Sequence, residues 1–108
     1  MVTPTKYERI RAHYIAGLAL IPRHMHEGII RYMENGIHPG DFMTAILADD
    51  LHGAIRLADH INMQWLKDWL HFMEDHLPAD ARGSYEHVRL WCESGGLNTQ
   101  EKAERQNV

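Results

Sequence analysis

Apolar residues recur along this chain at helical spacing, and nowhere do they alternate with polar ones for long enough to make a strand. The longest periodic stretch runs from Asp50 to Leu77. At about 100° per residue, Leu51, Ala54, Ile55, Ala58, Trp65, Leu66, Trp69, Leu70, Phe72, Met73 and Leu77 fall within one arc of roughly 160°. Gln64, Lys67, Asp68, His71, Glu74 and Asp75 occupy the opposite arc. This predicts a single long helix, capped by Asp49 or Asp50 and stopped by Pro78. A break near His60–Asn62 stays open as an alternative, although neither Pro nor Gly there demands one.

Shorter helices flank the long one. Pro22 suits a first helical turn and Gly36 the position past the end, with Met25, Ile29, Ile30, Tyr32 and Met33 forming the stripe between them. His38-Pro39-Gly40 reads as a turn, after which Asp41 is placed to cap a short helix holding Phe42, Ala45, Ile46 and Leu47. Ser84 caps a last helix carrying Tyr85, Val88, Trp91 and Cys92, closed by Gly95-Gly96. The first 21 residues read two ways. Thr3-Pro4-Thr5 can open a helix through Tyr7, Ile10 and Tyr14, but Ile15 to Ile21 can equally be extended. Residues 97–108 are polar and read as a frayed tail or a solvated helical extension. The expected fold is therefore all-α: a small bundle of about four to five helices around one central helix over residues 50–77, in a single domain spanning 1–96. Trp65, Trp69 and Phe72 belong to the core by their spacing, and are also the candidates for an interface with a second copy of the chain.

Composition narrows the function classes. A formal net charge of -4 argues against nucleic acid and anionic membrane, which both demand a basic footprint. One cysteine, Cys92, excludes an internal disulfide framework and a cysteine-based zinc cluster, and fits a reducing compartment. The apolar run from Tyr14 to Ile21 follows Lys6, Arg9 and Arg11 like an export signal. It lacks a small-residue cleavage site, runs into Pro22 and is too short to span a bilayer, so it reads as buried.

Four polar residues break the pattern. Asn62 lies near the centre of the apolar arc, Asp59 falls inside it, His76 is close to Trp69, and His26 lies between Ile29 and Ile30. An unpartnered buried polar group costs about 1–3 kcal/mol, so these must be hydrogen-bonded within the fold or must line an opening. Metal chemistry finds little support. His24 and His26, two apart, point to different sides of a helix, and His71 with Asp68 or Asp75 lies on the solvent arc. No metal-binding motif occurs. Cys92 between apolar neighbours reads as an inert thiol, Ser84 as a cap, and no glycine-rich phosphate loop precedes a helix. A helix-turn-helix reading meets an acidic would-be recognition helix that opens at Asp50, with only Arg56 to contact bases.

The pattern from Ile21 to Trp91 resembles a family of short uncharacterised proteins encoded by tailed bacteriophages and prophages. The residues that carry the resemblance are Ile21-Pro22, Met25, Tyr32, Gly36, Pro39-Gly40-Asp41-Phe42, Ala45-Ile46-Leu47, Asp50-Leu51, Ala54, Ala58-Asp59, Asn62, Phe72, Pro78, Gly83-Ser84, Val88 and Trp91. They span about two thirds of the chain. The resemblance brings no activity, cofactor or catalytic residue, and implies a phage or prophage accessory protein in the bacterial host cytoplasm. The leading expectation is a non-enzymatic protein without cofactor or metal that binds a host or phage protein, for instance to inhibit a host defence system, with self-association as a homodimer. The rivals are a small-molecule or metal pocket built from His26, Asp59, Asn62 and His76, and a DNA-binding regulator.

Overall fold

A computed structural model describes residues 2–106. Among them there is no strand, and eight α-helices follow one another: α1 Lys6–Gly17, α2 His26–Asn35, α3 Asp41–Leu47, α4 Leu51–Leu57, α5 His60–Gln64, α6 Leu66–His76, α7 Tyr85–Ser94 and α8 Gly96–Gln106. The chain is all-α. The expected bundle of four to five helices is replaced by a larger number of shorter ones.

The single helix expected over residues 50–77 is in fact three. Ala58 (ψ 136°) and Asp59 (ψ 177°) are extended, and Trp65 (φ -105°, ψ 17°) separates α5 from α6. The break at 59 has a local cause. The Asp59 carboxylate accepts the Asn62 backbone N–H at 2.7 Å, which makes it the N-cap of a new helix. Its other oxygen lies 2.9 Å from His24 Nε2. Aspartate inside a helix competes for backbone donors, and here that competition won over the apolar periodicity. Restarting the helix resets its phase, so the expected apolar arc no longer faces one side: Leu51, Ile55 and Trp65 are exposed, while Ala54, Trp69 and Phe72 are buried.

The true centre of the core is α3. Phe42, Met43, Ala45, Ile46 and Leu47 are all buried, as is Ala48 just beyond. A helix apolar on nearly every side can only persist when enclosed, and α4, α6 and α7 pack around it. Gly40, not Asp41, occupies its N-cap position, and Thr44 Oγ1 donates back to the Gly40 carbonyl at 2.9 Å. Asp50 caps α4 through the Gly53 N–H at 2.9 Å, and Ser84 caps α7 through the His87 N–H at 3.0 Å. Phe42 and Phe72 meet Trp69 edge-on, at centroid distances of 5.5 and 6.1 Å. The Tyr32 hydroxyl donates to the Ala81 carbonyl (2.7 Å) and Trp91 Nε1 to the Tyr32 carbonyl (2.8 Å), locking α2 to α7.

The first and last helices, α1 and α8, both belong to this core. Thr5 caps α1, which buries Tyr7, Tyr14 and Gly17 along one narrow stripe and resolves the ambiguity of the N-terminal segment. At the other end, residues 96–106 do not fray. They form α8, which docks on α2 with Leu97 fully buried; residues 107–108 of the expected tail lie outside the described residues. The docking depends on two facing glycines. A Cβ on Gly96 would lie 2.6 Å from the Gly36 nitrogen and 2.7 Å from that of Asn35, and both glycines have positive φ (77° and 64°). Arg11 then joins α1 to both partners, bonding Glu34 (2.9 Å) on α2 and Glu101 (3.2 Å) on α8, while the Tyr14 hydroxyl donates to Glu34.

Candidate interaction site

Exposed apolar side chains lie on both sides of the interruption that splits the expected rod. Leu51, Ile55, Leu57, Ile61, Met63 and Trp65 are each between 38% and 50% exposed. Six large apolar side chains are thus open to water within fifteen residues of sequence, and two of them, Ile61 and Trp65, line one groove. Trp65 sits at the α5–α6 break, outside both helices, and so escapes the core that holds Trp69 four residues on.

Ile61 and Trp65 form one wall of a surface groove of ≈ 440 Å³. The chain between α1 and α2 supplies the other. After the 3₁₀ turn Leu18–Leu20, Ile21 and Pro22 turn the backbone into a second 3₁₀ turn, Arg23–Met25. Ala19, Ile21 and Pro22 thereby line the groove together with Arg23, His24 and His26. Two hydrogen bonds brace this wall. His26 Nε2 bonds the Ile21 carbonyl at 3.0 Å, so that nitrogen carries the proton, and His24 Nε2 meets Asp59 at 2.9 Å across to α5. The Asn62 N–H, and after it His24, hold the Asp59 carboxyl below the ordinary carboxylate range. No carboxylate lines the groove. The walls are apolar and the polar groups among them basic.

The residues singled out by pattern do not share one cavity. His26 lines this groove, whereas His76 lines another at the end of α6, where its Nδ1 bonds the His13 carbonyl at 2.8 Å. Asp59 and Asn62 line neither. Asn62, 2% exposed, accepts the Trp69 indole N–H on Oδ1 at 3.1 Å. Trp69 and Phe72 are fully buried, and of the three aromatic interface candidates only Trp65 reaches the surface. His24 went unrecognised as the partner of Asp59, and Arg11 as the hub of an ion-pair cluster. Their partners lie 35 and up to 90 residues away, so no local spacing announces them.

For other chemistry the structure offers little. Among the described residues no three His, Cys, Asp or Glu side chains group to hold a metal ion. Burial pushes the Cys92 thiol up, away from the reactive thiolate. No helix among the described residues is long and apolar enough to cross a membrane. Comparison with protein-family models, with curated proteins and with solved structures finds no match.

Proposed function

We propose that this chain is a non-enzymatic interaction protein that binds another protein through the groove bounded by Ile61 and Trp65. The single observation that supports this reading is the exposed apolar run from Leu51 to Trp65 ending in a groove whose polar groups are Arg23, His24 and His26. An occupant of matching chemistry places one or two large apolar side chains against Trp65 and carries carboxylates beside them. The resemblance to phage and prophage proteins supports the setting: an accessory protein in the bacterial cytoplasm that titrates a host or phage protein, inhibition of a host defence system being one form.

A partner captured from host-cell lysate tests the proposal when compared across variants. Trp65→Ala and Ile61→Glu change exposed side chains and should leave the helical circular dichroism signal intact. A tryptophan at the centre of an interface contributes about 2 kcal/mol or more, so Trp65→Ala should weaken the purified pair at least about 30-fold. Arg23→Glu should slow association and reduce its sensitivity to salt. Equal capture by the wild type and all three variants refutes the groove as the site. Sedimentation of the chain alone separates the remaining occupant: a concentration-dependent dimer abolished by Trp65→Ala would assign the groove to a second copy.

A further inference from the structure

A second cavity lies far along the chain from this groove, between the first half of α1 and the end of α6. It encloses ≈ 350 Å³ and is lined by Lys6, Arg9, Ile10, His13, Asp75, His76, Leu77 and Pro78. Its chemistry divides in two. Ile10, Leu77 and Pro78 supply an apolar floor. Lys6, whose Nζ lies over the Tyr7 ring at 5.8 Å from its centroid, and Arg9, three apart and hence neighbours on α1, set two cationic side chains against the single carboxylate of Asp75. Among the described residues neither cation takes part in an ion pair, although acidic residues outnumber basic ones in the chain by 15 to 11. Arg9 is nonetheless held in place, with Nη1 donating to the Pro4 carbonyl at 3.0 Å.

His76 is the most constrained group in the cavity. Its Nδ1 faces the His13 carbonyl at 2.8 Å, and because a carbonyl only accepts, Nδ1 carries the proton. The ring stacks on Phe72 at 17° between planes and 6.2 Å between centroids. Gly17 leaves the space for it: a Cβ there would lie 2.5 Å from the imidazole Cγ and 2.7 Å from its Cβ. Three contacts from three directions thus fix the ring and its tautomer, and Nε2 has no partner among the described residues. Positioning one imidazole this closely is more than filling a gap requires. We infer that this cleft binds a small organic anion, a carboxylate or phosphate monoester on a short apolar body, whose head meets Lys6 and Arg9 and whose body lies on Ile10, Leu77 and Pro78. His76 Nε2, an acceptor in this tautomer, is open to a hydroxyl on those ligands that carry one, and the anionic head does not depend on it. This inference is independent of the protein-binding groove.

The test uses the full chain and four probes: benzoate, phenyl phosphate, inorganic phosphate and phenol. Thermal shift and NMR titration of the histidine ring protons should show saturable binding of benzoate, phenyl phosphate or both, at millimolar concentration or below. Whichever of the two binds names the head group. Inorganic phosphate and phenol should each bind at least tenfold more weakly, because one lacks the apolar body and the other the charge. The double variant Lys6→Gln/Arg9→Gln, at two exposed positions, should fold and lose the response at least tenfold. Four outcomes overturn the inference: no saturable response to either organic anion, phenol binding as tightly as the anions, inorganic phosphate binding as tightly as phenyl phosphate, or undiminished binding by the double variant. The last outcome, joined to a lower melting temperature, would mean that Lys6 and Arg9 serve only to offset the negative end of α6.

Discussion

Asn62 and Trp69 make one buried hydrogen bond between α5 and α6, and replacing each partner in turn measures what it contributes. Leucine at 62 keeps the branched heavy-atom skeleton, with bulkier methyl ends, but leaves the indole N–H of Trp69 facing an apolar group. That orphaned donor costs about 1–3 kcal/mol. With unfolding entropy near 2.1 cal/mol/K per residue, a chain of 108 residues loses roughly 4 °C in Tm per kcal/mol, so Asn62→Leu should melt about 4–13 °C early. Trp69→Phe orphans the Asn62 carbonyl instead and also removes ring atoms packed against Phe42 and Phe72, adding about 1–2 kcal/mol. The double variant orphans neither group and keeps only the packing loss. Urea denaturation should therefore show it less destabilised than the sum of the single variants, by at least about 1 kcal/mol. Strict additivity, or an Asn62→Leu variant as stable as wild type, would refute the view that this bond contributes to stability.

Three other substitutions probe the geometry. Because its folded pKa is depressed, the Asp59 carboxylate contributes stability that is present above the ordinary carboxylate value of about 3.9 and lost as the pH falls through the lower folded value. Asparagine still caps α5 but carries no charge for His24. Asp59→Asn should accordingly be less stable than wild type at neutral pH by no more than about 1 kcal/mol, given the exposure of the pair, and the gap should close as the pH falls below the ordinary carboxylate range; a Tm series showing a constant gap would contradict this. Gly96→Ala forces a Cβ into the backbone of α2 at positive φ and should cost about 2–5 kcal/mol, with hydrogen exchange accelerated across α8. Gly40→Ala, whose Cβ meets nothing within 4 Å, should stay within about 0.5 kcal/mol of wild type, and equal effects of the two in urea denaturation would count against the docking described for α8.

Local signals read well wherever one residue decides its own surroundings. Asp50 and Ser84 cap the helices they were expected to cap, Gly36 and Gly95 end theirs in the left-handed conformation, and Pro78 follows the last turn of α6. Where two local preferences conflict, pattern alone misjudges the winner. Ala58 and Asp59 carry an apolar phase that favours continuing the helix and a carboxylate that favours restarting it, and the added His24 contact lies 35 residues away. The groove inherits that difficulty, for Trp65 is indistinguishable from Trp69 by spacing until the break moves it outward. Of the two readings of the polar tail, the helical one holds over the described residues, while its docking on α2 was not legible. Only Leu97 and Gly96 bury, and neither stands out until Gly36 is brought opposite.

The one-dimensional pattern settles that this chain is helical and where α2, α6 and α7 stop, because capping and periodicity act over a few neighbours. Which helix lies at the centre, how α8 finds α2, and which tryptophan faces water depend on contacts between segments 35 to 90 residues apart. Those follow from packing in three dimensions, where a carboxylate's choice of partner or the absence of one Cβ outweighs the periodicity of the segment that contains it.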